Sequence, residues 1–430
     1  MSSPITVKEG HDISPDDCRR IWDALPEGFL WEYRDDDIER EARYFGLKIT
    51  QERRSPLATG FFVGVSSLPG PSAPALIVQP RFSNLDFARM FAACADDPIV
   101  AQHLSKTFFV WPGDPPVRSD SASWFTPLLI LAFLQVLEEL CRRHLRRNYT
   151  RVEENLHGRV KGRIRIGEHV RQNMARHRQD RIVCEYGRFD DDCLENRILR
   201  AALEVSAAYL VRKHPNLARK ATVRGWITRC RAALANVRVV RIRPWQFKGV
   251  RAIGSFRHYQ MPFRLAWAVL QHVGIDPENL NRMREDILVP PFALCTYELF
   301  ERYAEARLRE KLGPLWVGYS GKERNLRLRG SQYGVRPDFI VIDEGIVVDC
   351  KYKFGPPDVT DIYQIVAYSR HRVVIQHIAG PQGRKAPEKL ILLYPKVDES
   401  RWGRIEADAP DNSFEIPLVI AHLYCPEMSA

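Results

Sequence analysis

The pattern of apolar and polar positions predicts a β-rich segment at the start of the chain. Residues 58–82, ATGFFVGVSSLPGPSAPALIVQPRF, hold two apolar runs on either side of a loop rich in Gly, Pro and Ser, as expected for two joined strands. Residues 83–97, SNLDFARMFAACADD, repeat apolar residues at helical spacing. Loop-forming residues then cluster in WPGDPPVRSDSAS, so we expect an N-terminal α+β, β-rich domain over residues 1–120.

The next segment, residues 121–288, has a mainly helical pattern. Residues 123–147 begin with an apolar body and end in a cationic turn, and residues 190–214 carry acids at the start and bases at the end, which suits the helix dipole. Between them, GRVKGRIRIGEHVRQN starts with alternating Arg and Ile, which predicts a short extended stretch before a helix. We therefore predict a helical, basic middle region.

The C-terminal residues 289–430 follow the order helix, two strands, helix, strands. FALCTYELFERYAEARLREKLG, residues 292–313, predicts an amphipathic helix that ends at a glycine. DFIVIDEGIVVDCKY, residues 338–352, predicts a hairpin that turns at Asp-Glu-Gly. A helix over residues 358–372 and strands in KLILLYPK and FEIPLVIA complete the pattern. The predicted fold class is a multi-domain α/β protein.

Membrane and secreted classes are disfavoured. The most apolar stretch, residues 125–141, is too short to span a bilayer and contains Gln135, Glu138 and Glu139, so we interpret it as a core helix. The N-terminal residues lack the basic and apolar regions of a signal peptide. The nine cysteines are scattered without a CxxC pair, which disfavours a disulfide framework. We expect a cytoplasmic protein with no membrane segment.

The charge distribution indicates a polyanionic partner. The net charge is +11, and residues 205–275 contain fourteen Arg or Lys and no acid. A solvated surface normally mixes both signs, and the planar guanidinium group of arginine suits phosphate. Nucleic acid is therefore the favoured partner, with acidic lipid or an acidic protein as alternatives. The candidate DNA-binding residues are Arg163, Arg165, Arg224, Arg229, Arg231, Arg241, Arg243, Lys248 and Arg251.

The predicted hairpin carries the candidate chemistry. Strand side chains alternate, so Asp349 and Lys351 share one face while Cys350 points to the other. Asp338 opens the preceding strand, and pairing across the short turn can bring it near Asp349. Mg²⁺ is typically held by one or two carboxylates together with substrate phosphate oxygens. Two carboxylates and an amine at one sheet end suit a metal-dependent phosphodiesterase, in which the lysine positions the attacking water or stabilises the phosphorus centre.

A plain structural interpretation competes with this one. Asp338 could cap a turn, and Asp349 with Lys351 could form an ion pair at a strand end, as most isolated D-x-K triplets do. The order of the surrounding residues favours the catalytic interpretation. A helix with Glu298 and Glu301 comes first, then Pro-Asp, an apolar strand, Asp-Cys-Lys, and a helix carrying Gln364.

This order resembles the PD-(D/E)XK nuclease core, and the detail is similar to the McrC family, the cleavage subunit of McrBC-type restriction systems. The hairpin motif RPDFIVIDEGIVVDCKYK is followed by DIYQIVAYS, as in the family's D-x-Y-Q-x-x-x-Y helix. The middle stretches LHGRVKGRIRIGEHVRQN and CEYGRFDDDCLENRILRAAL also resemble the family. The likeness covers about residues 150–370 and is weak over the first 120.

The resemblance implies roles for individual residues. Asp338 and Asp349 would bind Mg²⁺, for which Mn²⁺ can substitute, and Lys351 would orient the nucleophilic water. Gln364 would lie beside the site. Either Glu298 or Glu301 could complete the metal site, with a slight preference for Glu301. Three tyrosines also match the pattern and are interpreted as packing residues: Tyr352, Tyr363 and Tyr368.

The resemblance also implies partners. The chain lacks the G-x-x-x-x-G-K-[ST] phosphate loop, so an AAA+ GTPase or ATPase of the McrB kind would be a separate chain, docked through the N-terminal region in a hetero-oligomer. Double-stranded DNA would be cut by metal-activated water. Two alternatives stay open: a non-catalytic DNA-binding adaptor that activates a motor, and a repair nuclease that works without a motor.

Overall fold

The structure is a computed structural model of the chain. The residues that it describes are 3–31, 37–49, 55–70, 73–82, 84–119, 122–143, 145–248, 250, 254–273, 288–312, 316–317, 326–327, 334–335, 337–353, 355–379 and 386–428.

The helices of the described residues are α1 (Pro15–Ala24), α2 (Ile38–Arg43), α3 (Phe87–Cys94), α4 (Pro98–Ala101), α5 (Ala122–Arg142), α6 (Ile166–Gln172), α7 (Leu194–Lys213), α8 (Pro215–Arg219), α9 (Ala221–Ala233), α10 (Pro244–Lys248), α11 (Gln260–His272), α12 (Thr296–Leu312), α13 (Val359–Arg370) and α14 (Arg372–Ala379). The strands are β1 (Ile5–Lys8), β2 (Phe62–Ser67), β3 (Ala75–Gln79), β4 (Phe108–Val110), β5 (Val117–Arg118), β6 (Asn148–His157), β7 (Arg163–Ile164), β8 (Arg181–Asp190), β9 (Leu288–Val289), β10 (Phe292–Cys295), β11 (Trp316–Val317), β12 (Leu326–Arg327), β13 (Gly334–Val335), β14 (Phe339–Val341), β15 (Ile346–Cys350), β16 (Lys389–Val397), β17 (Ile405–Ala407) and β18 (Leu418–Cys425).

The chain divides into two compact units, and the division does not follow three consecutive segments. Residues 1–128 together with 287–430 form one unit, and residues 129–286 form the other. The two ends of the chain, which the sequence analysis treats as separate domains, thus belong to a single unit. Long-range strand pairing, which no local pattern reports, is the reason.

The N-terminal sheet shows this pairing directly. Its strand order is β1-β3-β2-β10-β4, with β1 parallel to β3 and the other neighbours antiparallel. The predicted pair of strands in residues 58–82 is confirmed as β2 and β3. The FALC segment, predicted as the start of a helix, is instead β10, and the helix begins at Thr296. All four residues of β10 are buried, which suits a central strand better than an amphipathic helix turn.

The second sheet of this unit has the order β11-β14-β15-β16-β18-β17. The predicted hairpin is confirmed as β14 and β15, and Gly345 in its turn has φ 66°, a conformation that glycine adopts without steric cost. Helix α13 begins with a capping box between Asp358 and Asp361. The apolar residues of α13, α14 and the sheet share one core, which includes Ile340, Val347, Ile365, Val374, Leu390 and Leu392.

The second unit is less helical than the sequence predicts. The antiparallel strands β6 and β8 pair over ten residues each, and β7 adds to β8. Only the extended start of GRVKGRIRIG was predicted. Most residues of β6 are at least partly exposed, so the strand lacks the apolar alternation that a sequence pattern detects. The predicted helix over residues 190–214 is confirmed as α7.

Helix α5 contains the most apolar stretch of the chain. Residues Trp124–Arg142 are long and apolar enough, by length and composition, to cross a membrane, and 89 % of their most apolar part is buried inside the protein. This burial favours the predicted core helix over a membrane span.

Candidate active site

The register of the hairpin brings two aspartates together. Phe339 pairs with Val348 across β14 and β15, so the same register places Asp338 opposite Asp349. Directly opposed residues on an antiparallel pair have neighbouring side chains. The backbone N–H of Cys350 donates a hydrogen bond to Oδ2 of Asp338 at 2.6 Å, which fixes the first carboxylate against the second strand.

The electrostatic environment disfavours two negative charges here. Burial, and after it the charge of Asp349, raises the pKa of Asp338 to about 8. Burial also raises the pKa of Asp349, although the neighbouring ammonium of Lys351 opposes this shift. The Asp349 side chain is almost fully buried. A carboxylate pair in this state gains from any bound cation, because the cation offsets both desolvation and mutual repulsion.

Lys351 is held between an acid and an amide. Its Nζ lies 2.6 Å from Oδ2 of Asp349 and donates a hydrogen bond to Oε1 of Gln364 at 2.6 Å. Burial alone would lower the pKa of Lys351, but the charge and hydrogen bond of Asp349 outweigh burial and raise it. Lys351 is therefore protonated at neutral pH and acts as a hydrogen-bond donor. Gln364 in turn donates a hydrogen bond to the hydroxyl of Tyr368, which fixes the amide that accepts from Lys351.

The structure separates the two candidate glutamates of α12. Burial, then the charge of Asp338, then that of Glu298, raises the pKa of Glu301 well above its usual value, and Asp349 adds to the shift. Glu301 thus belongs to the same electrostatic cluster as the two aspartates. Glu298 is 1 % exposed, and its Oε2 lies 3.7 Å from Nε of Arg302. Glu298 therefore lies within an internal ion cluster.

Arg302 is the centre of that cluster. Its side chain is 1 % exposed, and its Nη1 lies 2.8 Å from Oε2 of Glu305. A fully buried guanidinium group is stable only with paired acids around it. The glutamates of α12 thus differ in their contacts: Glu298 and Glu305 form ion pairs with Arg302, while the charge of Glu301 interacts with both Arg302 and the aspartates.

One acid near the site was missed by the sequence analysis. Asp361 of α13 is 5 % exposed and accepts a hydrogen bond from the Tyr394 hydroxyl at 2.8 Å. Its Oδ2 also lies 2.5 Å from Nζ of Lys353, and its charge acts on Lys351. The signal was the first residue of the D-x-Y-Q pattern, three residues before Gln364. Asp361 helps to retain the positive charges of both lysines next to the hairpin.

The remaining motif residues lie in different environments. Tyr352 is 7 % exposed and packs against Phe82 and Phe300, as predicted for a packing residue. Tyr363 is 71 % exposed, so the packing interpretation is wrong for it. The Cys350 side chain is partly buried, and burial followed by the charge of Asp338 raises its thiol pKa well above the usual value. The thiol is therefore protonated and unreactive at neutral pH.

The donor set fits a hard divalent cation. Within the parts of the chain that the structure describes, no group of three or more His, Cys, Asp or Glu side chains is arranged to hold a metal ion alone. Mg²⁺ does not need such a group, because one or two carboxylates, waters and substrate phosphate oxygens suffice. Asp338 and Asp349 supply oxygen donors of the preferred kind, and burial raises the pKa of both, so a bound cation would favour their ionised forms.

The candidate DNA-binding residues fall into two groups. Three are paired with acids from other parts of the chain: Arg165 with Glu153 at 2.7 Å, Arg229 with Glu138 at 2.6 Å and Arg231 with Glu204 at 2.6 Å. Four others have exposed side chains: Arg163, Arg224, Arg241 and Arg243. Lys248 ends α10, and Arg251 lies outside the described residues. The acid-free stretch is therefore partly neutralised by acids distant in sequence.

Comparison with known proteins places the chain among restriction-system components. The family described as McrBC 5-methylcytosine restriction system component matches residues 113–380. Among curated proteins, none matches the chain.

Two solved structures match the chain with low TM-scores. One is the refined half-complex from the tetradecameric assembly of Thermococcus gammatolerans McrB AAA+ hexamers with bound McrC, with 15 % identity and a TM-score of 0.40, covering 98 % of this chain and 95 % of that chain. The other is the cryo-EM structure of the Thermococcus gammatolerans McrBC complex, with 16 % identity and a TM-score of 0.30, covering 73 % of this chain and 89 % of that chain. The family match extends over well over half of the 430 residues, and the chain therefore belongs to the McrBC 5-methylcytosine restriction system component family.

Proposed function

We propose that this chain is the Mg²⁺-dependent DNA endonuclease subunit of a McrBC-type restriction system, with a PD-(D/E)XK active site. One observation carries the proposal: a single hairpin presents two opposed aspartates with raised pKa values, and a protonated lysine directly follows its second strand. Clustered acids with perturbed pKa values are typical of functional sites. Family membership supports the same restriction context.

The residues have distinct roles in this proposal. Asp338 and Asp349, with Glu301 of the same electrostatic cluster, would hold Mg²⁺ or Mn²⁺. When bound, the cation would supply neutralisation of phosphate charge and activation of water. Lys351 keeps its proton, so its ammonium donates a hydrogen bond to the attacking water or to a phosphate oxygen and does not act as a base. Gln364 and Asp349 fix the direction of that ammonium. Hydrolysis then proceeds without a covalent intermediate.

The basic residues of the second unit would bind the DNA backbone. Exposed arginines suit phosphate contacts, which position the protein and carry no sequence information. Recognition and movement would then belong to a partner, which we propose is a McrB-like AAA+ NTPase. The proposal rests on family membership and on the lack of a phosphate-loop motif in the sequence. Such a hetero-oligomer would work in the cytoplasm.

Cleavage of supercoiled plasmid DNA tests the proposal. The full chain is combined with the McrB-like NTPase of the same organism, nucleotide and Mg²⁺, and cutting is compared for Asp349→Ala and Lys351→Ala. Each variant should lose on the order of 10³-fold in cleavage rate while retaining DNA binding. Asp343→Ala, in the exposed hairpin turn, is the matched control and should cut at the wild-type rate.

Two results would contradict the proposal. Mg²⁺-dependent cutting that survives in both variants, in preparations free of contaminating nuclease, would show that the hairpin is not the active site. Full activation of the partner's NTPase by a chain that never cuts DNA would favour the non-catalytic adaptor.

A further inference from the structure

The carboxylate of Glu9 lies inside the first unit, far from the hairpin in sequence. Glu9 directly follows β1, and its backbone N–H donates to the carbonyl of Gln79 at 3.0 Å. The residue is 0 % exposed. A buried carboxylate is costly unless other groups bind it, so each of its contacts identifies an element that the carboxylate holds.

The first contact joins Glu9 to the helix that carries Glu301. Thr296 Oγ1 donates to Oε2 of Glu9 at 2.6 Å, and Thr296 is the first residue of α12. The backbone N–H of Arg81 donates to Oε1 at 2.9 Å. One carboxylate therefore ties the loop after β3 to the start of the helix.

A second link runs through Arg81 from Glu9 to the segment that directly follows β15. Tyr352 directly follows Lys351, and its carbonyl accepts a hydrogen bond from Arg81 Nη1 at 3.4 Å. The Tyr352 hydroxyl is buried, and Glu9 acts on it electrostatically: burial first, and then the charge of Glu9, raises the pKa of Tyr352. The Tyr352 ring lies 5.7 Å from that of Phe300, the residue before Glu301.

The backbone at Gly10 shows how closely these groups fit. Gly10 has φ 66°, which directs the chain away directly after Glu9. A Cβ atom added at Gly10 would lie 2.5 Å from Arg81 Nη2. The turn after β1 thus favours glycine for its backbone conformation, and the Arg81 guanidinium group packs closely against it.

We propose that Glu9 is a positioning residue of the nuclease site, which sets the start of α12 against the end of β15 and so fixes Glu301 relative to Lys351. The inference rests on the proposed function and extends it, since it makes the N-terminal segment a structural part of the site. The Glu9 carboxylate is linked to the start of α12 and, through Arg81, to the segment after β15, so it can control the distance between them. Spacing errors of this kind reduce catalysis without abolishing binding.

The hydrogen bonds predict that glutamine can replace Glu9. Thr296 Oγ1 also lies 3.0 Å from the carbonyl of Phe61, to which it can donate its single proton. In Glu9→Gln, the amide oxygen can then accept from Arg81 N while the amide NH₂ donates to Thr296 Oγ1. Glu9→Ala removes both links. The two variants therefore separate positioning from a simple need for negative charge.

The test combines plasmid cleavage with hydrogen–deuterium exchange on the full-length chain. Glu9→Ala should cut about 10-fold more slowly at saturating Mg²⁺ with unchanged DNA affinity, while Glu9→Gln should stay within about twofold of wild type. Exchange in Glu9→Ala should rise over 296–301 and 346–353 and stay unchanged in β16. Ser66→Ala is the matched control, because Ser66 lies in β2, is 1 % exposed, and donates its hydroxyl proton to the carbonyl of Arg43 at the end of α2.

Several outcomes would overturn the inference. Unchanged exchange over both peptides in Glu9→Ala would show that Glu9 does not hold these elements. Slower cutting in Glu9→Gln equal to that in Glu9→Ala would replace positioning with a charge effect. An equal loss in Ser66→Ala would reduce the role to general stability. If the wild-type chain itself never cuts, the proposed function fails, and the exchange result alone decides whether Glu9 joins α12 to β15.

Discussion

Charged side chains are arranged in opposite ways at the hairpin site and in the second unit of the chain, residues 129–286. At the hairpin, burial raises the pKa of Asp338, Asp349 and Glu301, and repulsion among these acids adds to the shifts of Asp338 and Glu301. In the unit formed by residues 129–286, exposed arginines are paired with acids at hydrogen-bond distance, namely Arg229 with Glu138, Arg231 with Glu204 and Arg238 with Asp192.

This comparison identifies the charged groups that stabilise local packing. Opposite charges that meet at a surface neutralise each other and stabilise the local packing modestly. At the hairpin, Lys351 pairs with Asp349, but Asp338 and Glu301 still repel each other in a buried place, which is costly. We therefore propose a ligand of opposite charge at the hairpin cluster, and a phosphate partner for the arginines of residues 129–286 that lack an internal acid.

The largest expected effect separates the two glutamates of α12. Glu301→Gln should slow Mg²⁺-dependent cleavage by about 10²-fold with little loss of stability, because Glu301 contributes charge next to the aspartates. Glu298→Gln should lower the free energy of unfolding by about 2 kcal/mol, because it removes one acid from the buried Arg302. Plasmid cleavage and denaturant unfolding, measured on both variants, check the contrast. Loss of cleavage in Glu298→Gln alone would reverse the assignment.

An effect of intermediate size concerns pH. Asp338 has a higher pKa in the folded chain than in the unfolded chain, so it binds its proton more tightly when folded. The stability that this proton contributes is present near pH 4 and is lost as pH rises towards the folded-state pKa of about 8. In metal-free buffer, Asp338→Asn should therefore raise the free energy of unfolding by about 1 kcal/mol above pH 8 and change it little near pH 4. Denaturation curves at both pH values, with Asp343→Asn as the exposed control, check this. Equal destabilisation of Asp338→Asn at both values would contradict the pKa assignment.

The smallest effect compares two arginines of α9. Arg224 is exposed and pairs with no acid among the described residues, whereas Arg229 pairs with Glu138. If the unit binds DNA phosphates, Arg224→Ala should reduce the slope of log affinity against log salt by about 0.9, and Arg229→Ala by less. Fluorescence anisotropy of a labelled duplex over a range of KCl concentrations measures both slopes. A larger change for Arg229→Ala would show that its internal pair opens on binding.

The hairpin site could be predicted from sequence because its geometry is local. The turn at Gly345 sets the register, the register places Asp338 opposite Asp349, and the two-residue period puts Lys351 on the same face. Gln364 follows on the next helix, within reach of the lysine. Each step depends on neighbours in sequence or on one short turn.

The contacts that sequence could not predict are all long-range. Strand β10 joins a sheet formed mostly by the first 110 residues, and Glu9 reaches Thr296 across the whole middle of the chain. The partners of Arg229 and Arg231 lie on other helices, outside the acid-free stretch. Composition counts such arginines as uncompensated, since charge pairing depends on the tertiary structure.

Direct measurement of divalent-metal binding tests the central claim. Titration calorimetry with Mn²⁺ on the full-length chain compares wild type with the double variant Asp338→Asn, Asp349→Asn. The predicted result is saturable binding by the wild type that strengthens as pH rises, because the metal displaces protons from the carboxyls, and that disappears in the double variant. Equal Mn²⁺ affinity in the two proteins, with both folded, would contradict the account of the hairpin as a metal-dependent nuclease site.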